Sequence, residues 1–306
     1  MKLPDFFQSV SLPWGKSAKI FDFSHESWGL LAKLYTESTD VFTEGNSIPK
    51  IIHQIWVGCP MPDSEKLLSD KIINLNPDWE YKLWNEENLD FIDYQLLSKI
   101  KLIKNLGVKS DIIRYLVLYN YGGIYLDCDF VPVKRFDELI IGKKFIAGVC
   151  NPDFDNLPII NNGFIAAEKG NNLLNSINNK VLSQIDQMID INNQRDVFKY
   201  TGPDLFTNEI LNFLMTQSNS GYVIYPSTFF YPINHRKKLI INDNLIQKSI
   251  YPETYVIHLW NASWFKTNKN LYERLKLILP YRYFISLSKI MIFVKSYLYK
   301  KIKKYE

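Results

Sequence analysis

At 306 residues and 46% apolar side chains, the chain has ample material for a large packed core, which excludes disorder as its main state. Its three cysteines, Cys59, Cys128 and Cys150, form no CxxC pair and no zinc spacing, which excludes a disulfide framework and a structural zinc site and fits a reducing, cytoplasmic setting. The net charge of +4 divides into a tail of +9 over residues 266–306 and a body of −5, and a mildly acidic body argues against nucleic acid as a partner.

The first residues, MKLPDFFQSVSLPWGK, lack an apolar core of signal-peptide length, and no run of about 18 uncharged apolar residues occurs, so neither secretion nor a spanning helix is expected. HESWGLLAKLYTES reads as an amphipathic helix in a helical extension over residues 1–47. A main domain over 48–270 opens with IPKIIHQIWVG, a short apolar run closed by Gly58 and Pro60, as a buried strand is. A helix is predicted over 64–74, a turn and strand in NPDWEYKLWN, and another helix from Glu86. In SDIIRYLVLYNYGG the apolar positions 112, 113, 116, 117 and 119 keep helical period, with Ser110 or Asp111 at the N-cap and Gly122 at the stop. GIYLDCDFVPV follows as one strand. Further strands are predicted over 144–150, 158–167, 221–231 and 254–260, and helices over 171–186 and 203–215. No internal repeat or low-complexity linker divides the chain. The alternation predicts an α/β fold with a mainly parallel sheet flanked by helices, in which ligands bind beyond the carboxyl ends of the strands.

Asp127 and Asp129 stand at such an end, where GIYL stops. The plain alternative is a strand running into a turn. If the strand continues, residues two apart point to one face, and two converging carboxylates repel unless a cation or a proton lies between them. Oxygen ligands without cysteine suit Mg²⁺ or Mn²⁺, commonly completed by substrate phosphates. A phosphatase of the haloacid-dehalogenase type also carries apolar residues followed by DxD, with the first Asp as nucleophile. That reading needs a later acidic cluster, and residues 140–306 contain no Asp-Asp pair.

The ordered set IPKIIHQIWVG, NPDWEYKLWN, SDIIRYLVLYNYGGIYLDCDF and HLWNASW resembles glycosyltransferase family 32. These DXD sugar transferases include capsule and lipopolysaccharide enzymes and are related to the catalytic domains of large glucosylating toxins. The resemblance, over residues 48–265, implies a GT-A fold and a retaining transferase that uses a nucleotide sugar and Mn²⁺ or Mg²⁺. It implies that Trp56 stacks on the nucleotide base, that Asp111 and Arg114, with Ser110 beside them, grip the donor sugar, and that Asp127 meets ribose and sugar hydroxyls. Asp129 would ligate the metal, with His258 as a further ligand, and Ser263 and Trp264 would close over the diphosphate. Asn161, Asn162, Thr201 and Gly202 are expected on the acceptor side.

From Tyr281 onward, basic residues gather on one arc of a helical wheel, so residues 271–306 read as a basic amphipathic helix suited to an anionic membrane surface. The expectation is a cytoplasmic enzyme, peripheral on the inner face of the plasma membrane, moving a hexose from a UDP-sugar to a lipid-linked glycan in surface polysaccharide synthesis. A catalytically silent module that binds a sugar nucleotide or glycan is the alternative from another class.

Overall fold

The computed structural model describes residues 3–38, 47–153, 155–217 and 220–261. The predicted tail at 271–306, together with Ser263 and Trp264, lies outside the described residues. In chain order the elements begin with α1 (Phe6–Ser11), α2 (Glu26–Glu37), β1 (Ile51–Ile55), α3 (Asp63–Leu75), β2 (Glu80–Trp84), α4 (Tyr94–Leu102) and α5 (Leu106–Tyr121). They continue with β3 (Gly123–Leu126), β4 (Phe130–Pro132), β5 (Phe145–Pro152), β6 (Pro158–Ala167), α6 (Asn172–Leu182), α7 (Gln194–Tyr200), α8 (Pro203–Thr216), β7 (Tyr222–Tyr225), α9 (Asp243–Lys248) and β8 (Val256–His258).

The main sheet has six strands in the order β2-β1-β3-β6-β5-β7. Five run in one direction and β6 runs against them, pairing antiparallel with β3 and β5. This is the expected α/β architecture with a mainly parallel sheet. A two-stranded antiparallel sheet, β4 with β8, sets Phe130 opposite His258. Helices α5, α6 and α8 pack on one another, and α5 and α8 both lie on β6. The N-terminal helices pack against β5 and β7, and their buried Phe6, Val10, Trp28, Leu31 and Tyr35 belong to the same core as the sheet. Among the described residues no helix is long and apolar enough to cross a membrane.

Four local expectations are corrected. The acidic run from Glu86 is a turn, because the Asn85 side chain accepts from the Glu87 N–H and that of Asn88 from the Asn85 N–H. Helix α4 starts only at Tyr94, where the Asp93 carboxylate caps the Gln95 and Leu96 N–H groups. The cap of α5 is Asn105, which accepts from Gly107 and Val108, so Ser110 and Asp111 lie inside the helix. GIYLDCDFVPV is two strands in two sheets, broken at residues 127–129. The strands predicted over 221–231 and 254–260 are shorter, β7 giving way after Tyr225 to a 3₁₀ turn at Ser227–Phe229.

Gly122 and Gly123 make the sharp passage from α5 into β3. Both have positive φ, 66° and 100°. A Cβ on Gly123 would stand 2.5 Å from the Ile51 carbonyl oxygen of the neighbouring strand.

Candidate active site

The reversal at Gly122 sets the relative level of Arg114 and Asp127. From Arg114 to Gly122 the helix rises about 12 Å, and from Gly123 to Asp127 the strand returns about 13 Å. Arg114 and Asp127 therefore meet at the same height, at the carboxyl end of β3. The contact is direct: Arg114 Nη2 lies 3.2 Å from Asp127 Oδ1 and 3.0 Å from Asp111 Oδ1. The guanidinium also donates through Nη1 to the Asn162 carbonyl at 2.6 Å and through Nη2 to Ser110 Oγ at 3.5 Å. Its plane lies 4.5 Å over the Tyr125 ring, whose hydroxyl donates to Asp127 Oδ1 at 2.6 Å.

Asp111 is buried and held at both oxygens. Oδ1 accepts from Asn162 Nδ2 at 3.0 Å, and Oδ2 accepts from the Thr201 hydroxyl at 2.8 Å. Burial pushes its carboxyl up to about 6, against the opposing pull of Arg114 and of the Thr201 and Asn162 hydrogen bonds. Desolvation disfavours the Arg114 cation, but the neighbouring Tyr125, Asp127 and Asp111 more than offset it and raise its pKa.

The break after β3 turns the second aspartate toward β8. Asp127 N–H donates to the Gly163 carbonyl at 2.9 Å, and Leu259 N–H donates to the Asp129 carbonyl at 3.0 Å. Asp129 Oδ1 faces His258 Nε2 at 3.0 Å, Asp129 Oδ2 accepts from the Asn261 N–H at 2.7 Å, and Asp127 Oδ2 lies 3.8 Å from His258 Nε2. Burial disfavours both charges of this pair, yet mutual attraction lowers the Asp129 pKa and raises that of His258.

One ligand atom from each of Asp127, Asp129 and His258 falls within a 4.8 Å cluster. Two carboxylates and one imidazole form a donor set that suits Mn²⁺ or Mg²⁺. Gly163 keeps the space open, since a Cβ there would stand 2.8 Å from Asp127 Oδ2 and 2.9 Å from Asn161 Oδ1.

Residues 62–146 match the family model of the glycosyltransferase sugar-binding region containing a DXD motif. Asp127-Cys128-Asp129 lies inside that match, as do Asp111 and Arg114. The chain is 39% identical over 98 residues to inositol phosphoceramide mannosyltransferase 3 of Schizosaccharomyces pombe, covering 31% of this chain and 28% of that protein. It is 40% identical over 120 residues to inositol phosphoceramide mannosyltransferase 2 of the same yeast, covering 36% and 35%. These matches span about a third of each relative's length. Among solved structures, the PaToxG glycosyltransferase is similar at 20% identity and a TM-score of 0.42, over 86% of this chain and 95% of that one.

The DXD region thus gathers Asp111, Arg114, Asp127, Asp129 and His258, with Ser110 at the edge. Trp56 follows β1, level with the end of the adjacent β3; it is half-buried, and its buried indole Nε1 has no hydrogen-bond partner among the described residues. The residues expected on the acceptor side are buried. Thr201 and Asn162 hold Asp111, Asn161 accepts from the Gly163 N–H, and Gly202 is the N-cap of α8. Tyr125 was not among the expected site residues. Its parity with Asp127, two positions apart at the end of β3, is the signal that identifies it.

Proposed function

We propose that the chain is a metal-dependent retaining glycosyltransferase that moves a hexose from a nucleoside-diphosphate sugar to a glycan acceptor. The observation that carries the reading is the joining of two sets through Asp127: the Asp111–Arg114 pair on one side and the Asp129–His258 pair on the other. A UDP-sugar is the expected donor, and the mannosyltransferase names of the relatives add mannose as a candidate sugar. Their lipid acceptors support a lipid-linked acceptor, used at the inner face of the plasma membrane, where the basic tail would hold the enzyme to anionic lipid.

Asp127, Asp129 and His258 would hold the divalent cation, which supplies positive charge for the departing diphosphate. Arg114 orients Asp127 and fixes Asp111 one turn away, where its remaining lone pairs can accept from sugar hydroxyls. Asp111, Asp127 and Asp129 already have hydrogen-bond or ion-pair partners, which supports front-face attack over a carboxylate nucleophile. In that scheme the leaving phosphate takes the acceptor's proton.

The test is a panel of UDP- and GDP-sugars with Mn²⁺, following slow donor hydrolysis and its loss on chelation. Asp129→Ala should abolish the metal-dependent turnover. Full activity in that variant would overturn the metal assignment, and nucleotide-sugar binding without any turnover would favour a silent binding module.

A further inference from the structure

Residues 258–261 approach Asp129 from three directions. His258 Nε2 faces one carboxylate oxygen, the Asn261 N–H donates to the other, and the Leu259 N–H donates to the backbone carbonyl. Both oxygens of one carboxylate are thus met within four residues. Between the two contacts lies Trp260, whose φ of 61° falls in the left-handed region that a bulky residue rarely occupies.

Backbone of this kind persists only where its surroundings over-determine it. Here the indole Nε1 donates to the Ile233 carbonyl at 2.6 Å, and Ile233 is fully buried. The indole ring lies 4.2 Å from the His258 ring, and Phe130 stacks on His258 at 4.5 Å. The packing continues outward: Trp260 meets His235 at 5.9 Å, and His235 meets Trp14 at 5.6 Å. Asn234 Nδ2 donates to the Pro13 carbonyl at 2.7 Å, tying the same region to the N-terminal segment.

We propose that Trp260 is a positioning residue for the metal cradle: its indole, anchored on the Ile233 carbonyl, holds His258 and the Asn261 amide against Asp129. The inference rests on the metal-dependent reading above. Glycine would take the left-handed backbone without strain, so the backbone requirement alone does not call for tryptophan. The ring and its N–H supply what glycine lacks, a wall beside His258 and a fixed point for residues 258–261.

The test measures Mn²⁺ binding to the full chain from the loss of the free-ion electron paramagnetic resonance signal, alongside thermal unfolding. Trp260→Gly permits the same backbone conformation without strain and should weaken Mn²⁺ binding about tenfold, as loss of an outer support of a metal site does. Trp260→Phe keeps a ring beside His258 without the N–H and should weaken it by less than Trp260→Gly does, under about tenfold. Wild-type Mn²⁺ affinity in both folded variants would overturn the positioning role. So would binding lost only in step with the fold, and if Trp260→Gly does not fold, Trp260→Phe carries the test. Absence of Mn²⁺ binding by the unmodified chain would overturn the metal reading itself, an outcome distinct from the other two.

Discussion

Arg114 and Asp111, one turn apart on α5, form a buried ion pair of 3.0 Å, and the same guanidinium nitrogen reaches Asp127 at 3.2 Å. One buried cation therefore serves two carboxylates, the buried Asp111 and the partly exposed Asp127. Removing it leaves the buried Asp111 without its counter-ion, which is far costlier than the pair's net contribution. Arg114→Met is expected to destabilise by about 3–5 kcal/mol, read from urea unfolding. Asp111→Asn keeps an oxygen for Arg114 and should change stability little while weakening donor use, read as a higher KM for the sugar nucleotide.

Gly163 offers a cleaner separation of fold from activity. A methyl group there meets Asp127 Oδ2 and Asn161 Oδ1 at under 3 Å, both of them ends of polar side chains. Gly163→Ala should thus shift Asp127 more than it disturbs β6. Displacement of a positioned group on that scale costs about 100-fold in rate. The expected outcome is that loss in kcat with a nearly unchanged urea midpoint. A variant with wild-type kcat would show that Asp127 tolerates the displacement.

What the sequence disclosed follows from which interactions are local. β1, β6, α3 and α8 were legible because their apolar periodicity is self-contained, and Asp111 and Arg114 were legible as neighbours on one helix face. The break at Asp127 was hidden because Phe130 and Val131 prolong the apolar run, while the partner that pulls them aside, residues 256–258, lies more than a hundred positions away. The cap of α5 lies five residues before Ser110, because Asn105 caps the helix through the Gly107 and Val108 N–H groups. The burial of Thr201 and Asn162 against Asp111 was equally out of reach, since it depends on β6 and the turn before α8 closing over α5. Local spacing carries no trace of that closure.

Trp28 ties the N-terminal segment to the body of the fold. It is fully buried, its ring packs edge-on to Phe23 at 4.8 Å, and its Nε1 donates to the Asn156 carbonyl at 2.6 Å in the loop between β5 and β6. Trp28→Ala removes a large buried ring and leaves that carbonyl without its donor. A loss of about 3–5 kcal/mol is expected in urea unfolding. A change below about 1 kcal/mol would mean that the N-terminal helices dock independently of the core.

His53 provides a pH dependence that can be read without assaying activity. It is fully buried, Nδ1 accepting from the Trp84 indole at 3.1 Å and Nε2–H donating to the Gly122 carbonyl at 2.8 Å. That pairing fits the neutral ring, and burial lowers its pKa from the ordinary 6.5 to about 4. A histidine whose folded pKa is depressed contributes stability above the unfolded value and loses it as pH falls toward the folded one. The window is therefore pH 6.5 down to 4, and between pH 7 and pH 5 the loss is on the order of 2 kcal/mol. His53→Gln can accept from Trp84 and donate to Gly122 but does not titrate. The stability advantage of the wild type over this variant should shrink by about that amount between the two pH values, measured by urea unfolding at each. An advantage that stays constant would mean that burial does not depress the His53 pKa in the fold.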